Sequence, residues 1–300
     1  MTKPSIWKRM MDVDRRIIYI IVAVVMIVPI IFPFNLPMKI SKRTTTALFN
    51  AIDNFPNEHG VFLISADLNP QDQPELYPML VSWIRHCFYR DVKVLVMCLY
   101  PTSMGLAEQA LNQVATEFNN RASTGKGERI VYGEDYVFLG YKPPPIVPIL
   151  GLGENIYDVF PRDFYGNDLK SLPMMQEKNI KSYRDMDIIG SIAANTLPVT
   201  YVAYAQARFG IRVTGGVTAV SVADFYPYLD AGQLTGMLEG MKGAAEYEQL
   251  IRESFPEENG RQLATEGMSS QSSTHIAIIL MIIFGNICYF MDRRQEQRGM

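Results

Sequence analysis

VFLISADL, residues 61–68, and VKVLVMCL, residues 92–99, decide the fold. Each is a short apolar run, the first released by Gly60 and closed by Asn69 and Pro70. Runs of this length bounded by turn residues read as strands buried on both faces. Between them, Glu75 to Tyr89 places Leu76, Leu80, Trp83, Ile84 and Cys87 on one helical face. Leu106 to Phe118 repeats the pattern with Ala107, Ala110, Leu111, Val114 and Phe118. Strand, helix, strand, helix with continuously apolar strands predicts a parallel sheet covered by helices on both sides, joined by right-handed crossovers.

Working outward, Ser41 to Asn54 reads as a short helix with Ala47, Leu48 and Ile52 on one side, and Tyr136 to Gly140 as a third strand. Arg121 to Arg129 is a polar loop, and KPPPIVPILGLG from Lys142 to Gly153 is expected to leave regular structure, because prolines supply no ladder donors. Helices are expected at Asn155 to Phe160 and Asp185 to Leu197, a strand at Val199 to Tyr204, and a helix end at Gln206 to Gly210. A strand broken by a tight turn at Gly215 and Gly216 is expected over Arg212 to Val222. One α/β domain over 41–255 accommodates all of these. The alternation from Val61 to Phe118 resembles the Rossmann-like and flavodoxin-like architectures, which implies a layered, mostly parallel sheet and no particular activity.

Two apolar stretches flank that domain. IIYIIVAVVMIVPIIFPF, Ile17 to Phe34, carries no charge over about 18 residues, close to the ~20 that cross a bilayer. Arg15 and Arg16 precede it, with Lys3, Lys8 and Arg9 further back. HIAIILMIIFGNICYFM, His275 to Met291, is followed by Asp292, Arg293, Arg294 and Arg298. Basic flanks collect on the cytoplasmic side, so both termini are expected there. The expected layout is a cytoplasmic segment at 1–16, a membrane helix acting as uncleaved signal anchor at 17–36, and the extracytoplasmic domain at 41–255. A flexible polar tether at 256–274, a second membrane helix at 275–291 and a cytoplasmic tail at 292–300 complete it. Pro29 and Pro33 predict a bent exit from the first helix, and Asn286 offers a hydrogen bond to a neighbouring helix.

A net charge of -3 leaves no basic field to attract nucleic acid, which is excluded as a partner. Three cysteines are too few for a disulfide scaffold; Cys87 and Cys98 read as small buried residues that one bridge could join. The nucleotide, zinc-protease and hydrolase fingerprints are absent, and no cofactor or metal is predicted. His59, His86 and His275 are spread over a loop, a helix and a membrane boundary, and are read as surface or boundary residues.

In a parallel α/β sheet, ligands sit beyond the carboxyl ends of the strands. That rule selects Ser65, Asp67 and Asn69 after the first strand, Tyr100, Thr102 and Ser103 after the second, Lys142 after the third, and Thr214, Gly215 and Gly216 late in the chain. A carboxylate, hydroxyls and a lysine suit a polar small molecule, and Ser65 with Lys142 could pair as nucleophile and base. Loop capping by Asp67 and Asn69 is the competing explanation. In AGQLTGMLEGMKGAAEYEQL, Gly232, Gly236, Gly240 and Ala244 recur every fourth residue. On one helix they would form a smooth ridge for close packing, within the domain or between subunits. The expected function is therefore binding or assembly within a membrane or envelope complex, with a homo-oligomer or other membrane proteins as partners. A membrane-bound hydrolase or transferase and an accessory transporter subunit are the alternatives.

Overall fold

The computed structural model describes residues 6–32, 39–55 and 60–298. They fall into two compact units, Met1–Pro37 with Thr265–Met300, and Met38–Ala264.

Helices are numbered along the chain. The first unit holds α1 (Ile6–Met11), α2 (Arg15–Ile31) and nearly all of the last helix, α13 (Leu263–Arg298). Asp14 starts α2 by accepting the Arg16 amide at 2.9 Å. From Ile17 to Ile31 the helix is uncharged, and Ile17, Ile20, Val24, Ile27 and Ile31 are exposed. Pro29 lies inside it. A full first span over 17–36 is not shown, because residues 33–36, with Pro33, lie outside the described residues. Among the described residues α13 is the one helix long and apolar enough to cross a membrane. Ile276, Leu280, Ile283, Phe284 and Ile287 stand exposed along it. The Ser270 hydroxyl donates to the Met26 carbonyl at 2.6 Å, joining α13 to α2. Asn286 donates instead to Ile282 of its own helix at 2.9 Å.

The second unit begins with α3 (Thr45–Asp53), β1 (Val61–Asp67), α4 (Gln73–Tyr89), β2 (Lys93–Cys98), α5 (Met104–Ser123) and β3 (Tyr136–Tyr141). Three short helices, α6 (Ile146–Gly151), α7 (Ile156–Val159) and α8 (Pro173–Glu177), lead to β4 (Ile188–Ala193). There follow α9 (Leu197–Tyr201), α10 (Ala207–Phe209), β5 (Arg212–Val217), α11 (Tyr226–Asp230), β6 (Met237–Glu239) and α12 (Gly240–Ser254). The six strands form one sheet in the order β3-β2-β1-β4-β5-β6, and every neighbouring pair is parallel. The α/β expectation therefore holds. Phe62 meets Trp83 of α4 at 5.4 Å on one face, and Gly190 of β4 leaves the room that both rings occupy. The opposite face gives Leu63, Leu95, Val137, Ile189 and Val213 to a continuous apolar layer under α6 to α9.

Several expectations are corrected. Residues 185–197, expected as helix, contain β4, and residues 199–204, expected as strand, are helical. IIGSIA is a short apolar run of the kind that suits either element. Pro198 in the first turn of α9 and left-handed Gly210 after α10 are the helix boundary marks that decide the second segment. No turn interrupts β5 at Gly215 and Gly216; Met79 and Ile192 fill the space in front of Gly216. Cys87 and Cys98 are buried and free, without a bridge. His86 is fully buried: Nδ1 lies 2.7 Å from the Tyr247 hydroxyl and Nε2 3.3 Å from Asp53, and its ring stacks on Phe49. Burial pushes its pKa down and favours the neutral ring. His59 lies outside the described residues.

The stretch 256–274 is not a loose tether. Phe255 stacks on Tyr89 with ring centroids 4.3 Å apart, the Tyr89 hydroxyl donates to Glu258 at 2.8 Å, and the chain is helical from Leu263 onward. Glu258, polar in sequence, is held by buried pairing, while Glu257, Asn259 and Arg261 beside it are exposed.

Nor do Gly232, Gly236, Gly240 and Ala244 share a helix. Gly232 follows α11 with φ +71°, Gly236 precedes β6, Gly240 is the first residue of α12 with φ +58°, and Ala244 lies one turn further along that helix. A Cβ on Gly236 would come within 2.6 Å of the Leu48 amide nitrogen and 2.7 Å of the Thr44 carbonyl oxygen. Both are backbone atoms, so no side-chain rotation relieves the overlap. Gly236→Ala is expected to destabilise the domain by about 1–3 kcal/mol, as overpacking does. Chemical denaturation followed by Trp83 fluorescence would read this as a lower midpoint, while an unchanged midpoint would show that α3 yields freely.

Candidate functional site at the switch point of the sheet

The winding reverses between β1 and β4, and the crevice beyond their carboxyl ends is where open parallel sheets hold ligands. Ser65 and Asp67 are two residues apart on β1 and so share one face. Register sets Ser65 beside Ser191 and Asp67 beside Ala193 of β4. Asp67 is fully buried. Its Oδ2 accepts the Ser65 hydroxyl at 2.6 Å and its Oδ1 accepts the Leu99 amide at 2.6 Å, tying the end of β1 to the end of β2. Burial pushes the carboxyl up to about 7, against the hydrogen bonds from Ser65, Leu99 and Tyr100 that favour the ionised form.

Tyr201 reaches the same place from the end of α9, immediately before a π-helical turn over Val202–Gln206. Its ring is buried in the apolar layer that covers this face. Its hydroxyl lies within the field of Asp67 beside Ser65, yet makes no hydrogen bond of ordinary geometry. The Ser191 hydroxyl is likewise buried without a partner. Leaving each such group unpaired costs about 1–3 kcal/mol. Burial holds the Tyr201 hydroxyl and the Cys98 thiol well above their ordinary pKa values, so both are neutral at pH 7.

The loops above are cross-braced. Thr102 donates to Asn69 at 3.3 Å, Asn69 donates to Asp72 at 3.1 Å, and Ser103 donates to the Leu68 carbonyl at 3.0 Å. Asn195, after β4, donates to the Tyr100 hydroxyl, after β2, at 3.3 Å. Because β1 lies between those strands, this bond passes over the end of β1.

Of the ten residues selected from sequence, Ser65 and Asp67 sit at the centre, while Asn69, Tyr100, Thr102 and Ser103 serve as loop struts. The other four are drawn elsewhere. Lys142 lies over the Phe160 ring at 5.6 Å instead of pairing with Ser65. Thr214 donates to the Gly236 carbonyl at 2.7 Å, and the two glycines after it are strand positions closed by Pro198, Met79 and Ile192. Ser191, Asn195 and Tyr201 escaped the sequence reading because β4 and α9 were exchanged there. The signal that finds them is Pro198, which places a helix start after Asn195 and a strand before it.

A cleft of about 1070 Å³ opens at the other end of the sheet between Tyr89, Phe118, Arg121, Asp135 and Glu257. Much of its charge is already paired, Lys93 with Asp91 and Asp135 and Glu117 with Arg85. The Asp163–Asp168 turn is also self-contained: Asp163 accepts Tyr132 at 2.6 Å and the Asn167 amide at 2.8 Å. Among the described residues no group of three His, Cys, Asp or Glu side chains could hold a metal ion.

Fold and site together define a doubly wound, all-parallel α/β domain with a closed, polar switch point. No known family model, curated protein or solved structure matches the chain.

Proposed function

We propose that this chain is a two-pass, membrane-anchored α/β domain protein that acts in binding or assembly of a membrane complex. The observation that carries the reading is α13, whose large apolar side chains stand exposed along a helix long enough to span a bilayer. An exposed apolar surface of that extent is expected to be covered by lipid or protein. The Ser270 to Met26 hydrogen bond supports treating α2 as its partner in a helical hairpin. Arg15 and Arg16 at the start of one helix and Arg293 and Arg294 at the end of the other favour two cytoplasmic termini and an extracytoplasmic domain. The closed switch point and the drift of Lys142 away from Ser65 favour binding over catalysis.

The native cysteines are buried, so a cysteine introduced at exposed Lys126 would be the reactive thiol. An impermeant maleimide applied to intact cells is expected to label Lys126→Cys, with the chain remaining in the pellet after alkaline carbonate extraction. Labelling only after lysis would overturn the orientation, and extraction into the supernatant would overturn the anchoring. Mass spectrometry of the intact nanodisc particle would test assembly, where a monomer without co-purifying protein counts against it.

A further inference from the structure

Four buried oxygen-bearing side chains converge at the switch point: Ser65 and Asp67 from β1, Ser191 from β4 and Tyr201 from α9. Two of them, Ser191 and Tyr201, make no hydrogen bond of ordinary geometry although both are fully buried, Tyr201 lying beside Ser65. Buried polar groups are nearly always paired, so unpaired oxygens gathered where such sheets hold ligands point to a donor that belongs there. The chemistry of that donor follows from what surrounds it. Asp67 faces the Ser65 hydroxyl on its own strand, the Cys98 thiol at the end of β2 and the Leu99 and Tyr100 amides just after it, and the Tyr201 phenol from α9, which Tyr183 also neighbours. All of these are neutral at pH 7, and Asp67 is the one group of the set able to carry charge there.

An anion would meet a carboxylate with no cation to receive it. A primary ammonium group brings three N–H donors and a charge that favours ionised Asp67. Three acceptors match it: the Asp67 carboxylate and the two unpartnered hydroxyl oxygens. Entry requires parting the half-buried Asn195 to Tyr100 bond, a long hydrogen bond at 3.3 Å. The π-helical turn beside Tyr201 is a local irregularity of the sort often found where helices serve a site. We propose that Ser65, Asp67, Ser191 and Tyr201 form a binding site for a primary ammonium group, closed in this structure by the Asn195 to Tyr100 bridge. The site does not depend on the membrane topology proposed above.

The test is calorimetric titration of the full chain, in phosphatidylcholine nanodiscs, with ethanolamine. Saturable one-to-one binding is expected, weakened roughly 10- to 100-fold by Tyr201→Phe and by Asp67→Asn, since each removes a bond to a charged group. Ser191→Ala, a smaller change, should weaken it in the same direction, and Trp83 fluorescence confirms that each variant is folded. Because the amine needs ionised Asp67, affinity should rise about tenfold per pH unit up to about 7 and then level off. Tetramethylammonium, which has no N–H donor, should not bind. Nanodiscs containing phosphatidylethanolamine separate two sources of the same chemistry: a weakened ethanolamine isotherm assigns the site to a lipid headgroup, and an unchanged one assigns it to a free amine. Absence of ethanolamine binding to the wild type, equal binding of tetramethylammonium, or affinity unaffected in all three folded variants would each overturn the proposal.

Discussion

Arg85→Met is expected to destabilise the α/β domain by about 3–5 kcal/mol, the cost of removing one partner from a buried ion pair. Arg85 is 1% exposed. It donates to Glu117 through Nη2 at 2.7 Å and Nε at 3.2 Å, and to the Arg261 carbonyl at 3.4 Å, while Nε lies 3.7 Å from Glu258. Methionine fills much of the same volume, so packing is largely kept and the lost charge dominates. Glu258 has a side chain only 2% exposed and would be left with the Tyr89 hydroxyl and the Gly260 amide as donors but no cation. The consequence reaches beyond stability, because Glu258 belongs to the segment that carries the chain from α12 toward α13. Urea unfolding of the full chain in nanodiscs, followed through Trp83, should show the lowered midpoint. Hydrogen exchange should show residues 256–262 losing protection first. A double variant, Arg85→Met with Glu258→Leu, should recover part of the loss, because it removes the unpaired charge as well. A midpoint in Arg85→Met within about 1 kcal/mol of wild type would mean that water or neighbouring donors replace the guanidinium, and the segment would then be held by Phe255 on Tyr89 and by the Tyr89 hydroxyl on Glu258.

The same segment shows what could be read from sequence and what could not. β1, β2, α4, α5 and β3 were legible because their apolar residues follow a single period and end at turn residues, so local pattern and tertiary burial agree. PEENGRQL was misread for the opposite reason: its side chains look solvated, and the partner that buries Glu258 lies far away in sequence on α4. The exchange of β4 and α9 has another cause. Ile188 to Ala193 and Leu197 to Tyr201 are both short and apolar, and hydrophobic content alone does not separate buried strand from buried helix at that length. The glycines at 232, 236 and 240 carried a regular spacing that imitated helix packing, while their real roles are two left-handed turns and one backbone contact, which leave no periodic mark. Half of the candidate site was accessible by the strand-end rule through Ser65 and Asp67. The other half, Ser191 and Tyr201, depends on which strand lies beside β1, a matter of topology that no local pattern expresses.

Asp67 supplies the second large effect, and its sign is opposite to that of most carboxylates. In the unfolded chain an aspartate titrates near 3.9, whereas burial raises Asp67 in the folded domain to about 7. Between those values the folded state holds a proton that the unfolded state has released. Stability therefore falls as pH rises from about 4 to about 7 and is flat above, by roughly 4 kcal/mol over the whole interval. Asp67→Asn keeps a carbonyl oxygen for the Leu99 amide and removes the titration. Unfolding free energies of wild type and variant at pH 5 and pH 8 give the test. The wild type should lose roughly 2 to 3 kcal/mol more than the variant across that range. His86 slopes the other way below about 6.5, since burial favours its neutral ring, but it is common to both proteins and cancels in the difference. Equal pH dependence in the two proteins would mean that Asp67 stays ionised in its buried setting, stabilised by the Ser65, Leu99 and Tyr100 donors. In that case the charge at the switch point would be permanent, and amine binding there would lose its dependence on pH while keeping its dependence on Tyr201.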